Sequence, residues 1–312
     1  VRAVVTGVAG FIGSHVAESL AGEGAEVLGI DCFTDYYPRT DKEENLAALR
    51  DHGAFRLVEG RLQDLDLERL FDGADHVYHL AAQAGVRASW GRDFEHYSDH
   101  NVLGSQRVLE AALAAGRPVV VYASSSSVYG EAPELPLRED GRCRPVSPYG
   151  VTKLAAEHLA VLYHRSFGLP TVSLRYFTVY GPRQRPDMAF HRFFKAARDD
   201  EPVSVFGDGR QTRDFTFVSD IVTATRAAAV SGRPGSVYNV GGGERVELNR
   251  VLQLIEKISA RPLQIQREEA QRGDMRDTFA DTTAARKDLD FAPRVRLEDG
   301  LLREWEWLRG RR

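Results

Sequence analysis

The sequence predicts an α/β protein built on a doubly wound parallel sheet, with a smaller C-terminal α/β lobe. Three observations carry that expectation. Short apolar strand signals alternate with helical segments through the first half of the chain. A glycine-rich turn joins the first strand signal to the first helix. Beyond Gly168 the alternation gives way to short elements separated by polar, arginine-bearing loops. The expected division is a first domain over 1–168 and a second lobe over 169–312, with some strands and helices of the second returning to the first.

Taken in order, residues 1–6 read as a short buried strand. Gly7, Gly10 and Gly13 then bracket Phe11 and Ile12 with the spacing G-x-x-G-x-x-G, ahead of a helical run over 14–21. Glycines at such a strand-to-helix turn let the backbone approach a pyrophosphate, which sits on the helix N-terminus. A second strand over 26–30 ends at Asp31, an acid placed to bond the adenosine ribose hydroxyls and to repel a 2′-phosphate. This combination points to NAD rather than NADP.

Strand signals continue at 55–59, 76–80 and 118–122, separated by segments such as 65–71 and 101–115. Asp64 and Leu65, after the third strand, are placed to meet the adenine edge. Ala81 and Ala82, after the fourth, are small enough to let a cofactor lie close. The polar stretch Asp35, Tyr36, Tyr37 and 41–44 reads as a solvated loop entering a helix. After the fifth strand come Ser124, Ser125, Ser126 and Ser127, at the strand end where open parallel sheets bind ligands. Tyr149 and Lys153 follow on a helical run, four residues apart and therefore on one face. An ammonium beside a phenol favours the phenolate, so this pair can take a proton from an alcohol and return it. A sixth strand over 171–176 precedes the irregular basic stretch from Val179 to Asp187.

Composition narrows the class. The chain has 312 residues, 43% hydrophobic and 28% charged, with a net charge of -4, which disfavours nucleic acid and anionic membranes as partners. Two cysteines, Cys32 and Cys143, form no disulfide framework, so a reducing cytoplasm is expected. No apolar run approaches the ~18–20 residues of a membrane span, and the sequence opens on a strand rather than a signal peptide. No metal site is expected.

These stretches together resemble the extended short-chain dehydrogenase/reductase family of nucleotide-sugar enzymes, from the Gly7–Gly13 turn through Ser124–Gly130 and Tyr149–Lys153 to Arg272–Asp274. The resemblance implies a Rossmann-type domain holding NAD tightly, a C-terminal lobe holding a UDP-sugar, and a homodimer built from the helices around 101–115 and 149–167. Three stretches look most like UDP-glucuronate 4-epimerases: Phe33–Tyr37, His79–Arg87, and Arg175–Pro182 running into Arg185–Ala189. Related 4,6-dehydratases and UDP-glucuronate decarboxylases usually carry glutamate where this chain has Ser127. UDP-galactose 4-epimerases usually carry asparagine where it has Thr178.

By the same resemblance, Ser125 is the hydroxyl partner of Tyr149 and Lys153, while Ser126, Ser127 and Thr178 face a substrate carboxylate, with Arg185 as a reserve cation. Arg87 belongs to the substrate side. Arg213 and Arg272 take the diphosphate, Asp274 the uridine ribose, and Phe206 lies near the uracil. The implied activity is NAD-dependent 4-epimerisation of UDP-glucuronic acid to UDP-galacturonic acid through a 4-keto intermediate. The alternatives are a UDP-glucose or UDP-N-acetylglucosamine 4-epimerase, a decarboxylase, which Ser127 disfavours, and a non-catalytic NAD-binding sensor, which the intact trio disfavours.

Overall fold

The computed structural model describes residues 1–131, 134–269, 271 and 273–311. In chain order the elements are β1 (Arg2–Thr6), α1 (Phe11–Gly22), β2 (Glu26–Asp31), α2 (Arg39–Asn45), β3 (Phe55–Glu59), α3 (Leu67–Phe71), β4 (His76–His79) and α4 (Phe94–Tyr97). A π-helical turn over Ser98–Leu103 leads into α5 (Gly104–Ala114), followed by β5 (Val119–Ser125), α6 (Pro148–Phe167), β6 (Thr171–Tyr176) and β7 (Thr178–Tyr180). Then come α7 (Ala189–Asp199), β8 (Val203–Phe206), β9 (Thr212–Phe217), α8 (Val218–Ser231), β10 (Val237–Val240) and β11 (Glu244–Glu247). The chain closes with α9 (Leu248–Ser259), β12 (Ile265–Glu268), α10 (Thr283–Leu289) and α11 (Leu297–Arg309).

Seven strands form one sheet in the order β10-β6-β5-β4-β1-β2-β3, all neighbours parallel. Side chains alternate between its two faces. Val4, Leu28, Val77 and Val120 pack under α3, α5 and α6, while Ala3, Val5, Val27 and Val121 join the core that includes α1 and α8. Burial on both faces explains why these strands read as continuous apolar runs. The strand order reverses between β1 and β4. Thr6 pairs with Ile30 on one side and His79 on the other, so the crevice opens where the loops after β1 and β4 part.

Beyond residue 168 the chain is shared. β6 and β10 join the main sheet, and α8 and α10 pack beside it. A three-stranded sheet, β11-β9-β7, and the pair β12-β8 form a separate layer, closed by α7, α9 and α11 around Phe190, Phe194, Phe215 and Trp305. Among the described residues no helix is long and apolar enough to cross a membrane.

The first turn tolerates little bulk. Gly7 has φ +69°, and a methyl built on Gly13 would stand 2.1 Å from the Gly7 carbonyl oxygen. Replacing Gly13 with alanine therefore forces the turn apart. We expect a loss of about 1–3 kcal/mol in denaturant unfolding, where an unchanged midpoint would show that the turn can yield.

Candidate active site

The crevice at the reversal point is a cleft lined by Gly7, Gly10, Phe11, Ile12, Gly13, Asp31, Ala81, Ala82, Tyr149 and Lys153, among others. Gly10 caps α1 without a side chain, so the first amides of the helix face the cleft unspent and suit an anion. Asp31 is fixed at the same turn. Its Oδ2 accepts from the Ala9 amide at 3.0 Å and its Oδ1 from the Phe33 amide at 2.8 Å. Burial raises its pKa, opposed by those amides and by Lys42. A glycine cradle with open amides beside a held carboxylate fits a dinucleotide whose ribose carries free hydroxyls.

The cleft wall after β3 is formed two residues earlier than expected. Leu62 and Gln63 line the cleft, not Asp64 and Leu65. Asp64 has 66% of its side chain exposed toward Arg61, and Leu65 packs beneath Gly60, where an added methyl would meet it at 2.8 Å. The loop read as solvated is also corrected, because Thr34, Tyr36, Tyr37 and Lys42 all line the cleft. Lys42 is buried, bonding Thr34 through its carbonyl and hydroxyl, with its Nζ 4.7 Å from the centre of the Tyr37 ring. The sequence signal for this was weak: two adjacent tyrosines in a polar loop.

Helix α6 starts where its caps dictate. The Ser147 hydroxyl accepts from the Gly150 amide at 3.1 Å, Pro148 occupies the first turn, and Gly168 closes the helix in the left-handed conformation. Tyr149 and Lys153 consequently both face the cleft. Their electrostatics differ from the expected pairing. Burial raises the Tyr149 phenol, and the groups opposing it are Arg185 and the Ser125 hydroxyl rather than Lys153. The lysine ammonium instead stands over the Tyr122 ring, 4.6 Å from its centre, and burial lowers its pKa to about 7.

Ser125, Ser126 and Ser127 occupy the short turn at the end of β5, with the Ser125 Oγ accepting from the Ser127 amide at 3.1 Å. β5 and β6 pair as far as Ser125 opposite Tyr176, so Ser126, Ser127 and Thr178 all lie just beyond one sheet edge. Ser124 is a structural member of the run, buried and bonded to Glu157 at 2.6 Å. Arg185 lines the cofactor cleft and makes a two-pronged pair with Asp187 at 3.0 Å for each contact; Tyr36 donates to Asp187 at 3.2 Å.

A second cluster collects residues from the segment after β4, from α7, from the end of β8, from the start of β9 and from the loop after β12. The Arg87 guanidinium lies 4.1 Å from the Phe206 ring centre and pairs with Asp274 at 2.7 Å. Arg213 donates to the Arg276 carbonyl at 2.8 Å; burial lowers its pKa against the opposing charges of Asp274 and Asp277. Arg192, absent from the sequence-based set, lies 6.0 Å from the Phe206 ring centre. Arg272 lies outside the described residues.

Comparison with known proteins agrees with this geometry. Residues 3–241 match the model of the "NAD dependent epimerase/dehydratase family". This chain belongs to that family. It is 44% identical over 311 residues to an uncharacterized UDP-glucose epimerase, YtcB, of Bacillus subtilis, covering 98% of each chain. It is 38% identical over 310 residues to the UDP-glucuronate 4-epimerase of Thermodesulfobacterium geofontis, covering 97% of this chain and 95% of the relative. The crystal structure of UDP-glucuronic acid 4-epimerase from Bacillus cereus, in complex with UDP-glucuronic acid and NAD, superposes with a TM-score of 0.97 at 42% identity, covering 99% of each chain.

NAD is the cofactor of this epimerase/dehydratase, and the glycine cleft fits it. Replacing Asp31 with asparagine removes the charge that rejects a 2′-phosphate and weakens the ribose contact. Losing one charge-assisted hydrogen bond is worth about 1.5–3 kcal/mol. NAD affinity should therefore fall at least tenfold while NADP binding improves, as checked by equilibrium titration with both nucleotides.

Proposed function

We propose that this family member interconverts UDP-glucuronic acid and UDP-galacturonic acid by epimerisation at C4. The observation that carries the reading is Arg185 in the same cleft as Tyr149, a cation beside the reacting alcohol where a uronic acid brings its negative charge. The relatives named for that sugar, at 38% and 42% identity, support it. A neutral-sugar reading, UDP-glucose 4-epimerase, draws support from the name of the 44% identical relative.

In this reading Tyr149 accepts the proton of the 4-hydroxyl and later returns it to the same oxygen, once the 4-keto sugar has turned its opposite face to the hydride donor, while Ser125 hydrogen-bonds that oxygen. Arg185 keeps the developing phenolate favourable, and Lys153, which lines the same cleft, would help to hold the cofactor. Bound NAD supplies the reversible two-electron chemistry at C4, so no external oxidant is consumed. The 4-keto uronic acid formed on the way is a β-keto acid, prone to lose carbon dioxide when its carboxylate aligns with the carbonyl π system. Ser126, Ser127 and Thr178 hold that carboxylate by directional bonds, and a serine at 127 leaves no second carboxylate facing it. Arg87, Phe206, Arg213, Arg272 and Asp274 take the uridine diphosphate.

The same reading makes the protein a homodimer, with 1–168 as mainly the NAD domain, 169–312 as mainly the sugar-nucleotide lobe, and a cytoplasmic location suited to its two free thiols. Leu103, Val151 and Leu162 are 42%, 49% and 51% exposed, an apolar strip along the helices assigned to the interface. Replacing Val151 with aspartate should shift sedimentation from dimer to monomer.

The deciding assay is incubation with UDP-glucuronic acid without added NAD, followed by chromatography. UDP-galacturonic acid is the expected product. UDP-xylose or a 4-keto pentose would establish decarboxylation instead, and turnover of UDP-glucose alone would establish the neutral-sugar reading. Tyr149→Phe should lower turnover by about 10²–10⁴-fold while leaving fold and NAD content unchanged.

A further inference from the structure

Behind the cleft lies a charged group that neither binding nor proton transfer has used. Glu157 stands one helical turn beyond Lys153 on α6, so the two side chains leave the same face of the helix. Only 2% of its side chain is exposed. Its carboxylate accepts from Arg175 Nη2 at 2.6 Å, from Arg175 Nε at 3.0 Å and from Ser124 Oγ at 2.6 Å. Arg175 spends its other arm on the Tyr129 hydroxyl at 2.7 Å and the Glu139 carbonyl at 3.2 Å. The carboxylate is thus tied to both β5 and β6 and cannot swing to solvent. Lys153 is as deeply buried, yet among the described residues it forms no ion pair of its own.

We propose that Glu157 is a positioning residue for the reaction: held by Arg175 and Ser124, its carboxylate supplies the negative charge that keeps the Lys153 ammonium charged beside the cofactor cleft. The proposal rests on the reading of Tyr149 and Lys153 as the reacting pair.

The surroundings of Lys153 leave this task to Glu157. Tyr122 on β5 covers it with an aromatic face. His79 on β4 is fully enclosed between the Thr6 and Ser105 hydroxyls and, with its pKa held near 3 by burial, is neutral at working pH. The π-helical turn contributes the neutral Asn101, which bonds Thr152. Tyr97 of α4 meets the Tyr149 ring edge-on. Arg185 acts on Tyr149, and its sign would discharge the lysine rather than keep it charged. Burial drives Lys153 down, and Glu157 is the charge that opposes it. A carboxylate that served only to anchor the helix would tolerate a neutral isostere without any effect on the lysine.

The test uses the NAD-loaded protein with ¹³C at the lysine ε-carbons. The chain has five lysines, and the Lys153 signal is assigned by its loss in Lys153→Met. In Glu157→Gln, which keeps the shape and most hydrogen bonds, the Lys153 titration midpoint should fall by about one pH unit or more. Glu157→Asp should bring it back toward the parent value. Turnover should be lost on the alkaline side at correspondingly lower pH in Glu157→Gln. An unchanged midpoint in folded, NAD-retaining Glu157→Gln overturns the proposal. Should that variant not fold, Glu157→Gln is made in Arg175→Gln, which leaves no unpaired guanidinium; the midpoint must fall relative to Arg175→Gln alone, and equal midpoints in the two overturn the proposal. The lysine titration needs no sugar, so an error in the substrate leaves this result standing, and the chromatographic assay alone reports on the substrate.

Discussion

The buried pair between Arg175 and Glu157 is the interaction on which the geometry of the site depends. Their side chains are 5% and 2% exposed, so both charges have left water and rely on each other and on Ser124, Tyr129 and the Glu139 carbonyl. Such a pair is weak evidence of net stability, because desolvation offsets the attraction; removing one partner alone typically costs about 3–5 kcal/mol. Its value is placement. It joins α6 to β5 and β6 and thereby fixes the rotation of the helix whose first two turns carry Tyr149 and Lys153. The Tyr129 hydroxyl passes the connection to Asn239 on β10 at 2.7 Å, so three adjacent strands set the pose of one helix.

Acidity in the cleft follows from that pose. The Lys153 ammonium stands over the Tyr122 ring, and the charge acting on Tyr149 comes from another loop, through Arg185. Arg185 reaches the cleft because its loop is clamped from two sides. His15 of α1 bonds the Pro182 carbonyl at 2.9 Å, and Glu304 of α11, a fully buried acid whose pKa burial raises, accepts from the Gly181 amide at 2.9 Å. The loop is irregular in sequence but not loosely held.

Most of the sheet was legible in the sequence because parallel strands buried on both faces leave unbroken apolar runs. The strands expected over 55–59 and 171–176 match in full. The glycine turn, Asp31 and the Tyr149–Lys153 pair, each picked out by local spacing, line one cleft. What failed depended on long-range contacts. The helix expected over 101–115 is present as α5 but enters through a π-helical turn, where Asn101 both accepts from the Gln83 amide at 2.7 Å and donates to the Thr152 hydroxyl at 3.0 Å, partners that no periodicity reveals. Tyr36, Tyr37 and Lys42 looked like a wet loop because polar side chains read alike whether they meet solvent or line a cavity. Asp64 and Leu65 stand just after a strand, but which residues of that connection face the cleft depends on how the loop folds back, and Leu62 and Gln63 do.

The carboxylate of Asp187 is shared between Tyr36, from the loop after β2, and Arg185, from the loop after β7. Both loops line the cofactor cleft, so a single side chain joins two of its walls. Substitutions at 36 and 185 therefore cannot be treated as independent: each removes a partner of the same acid, and their energies will not sum. A residue chosen to tune cofactor affinity on one side of this protein also resets the environment of the cation on the other.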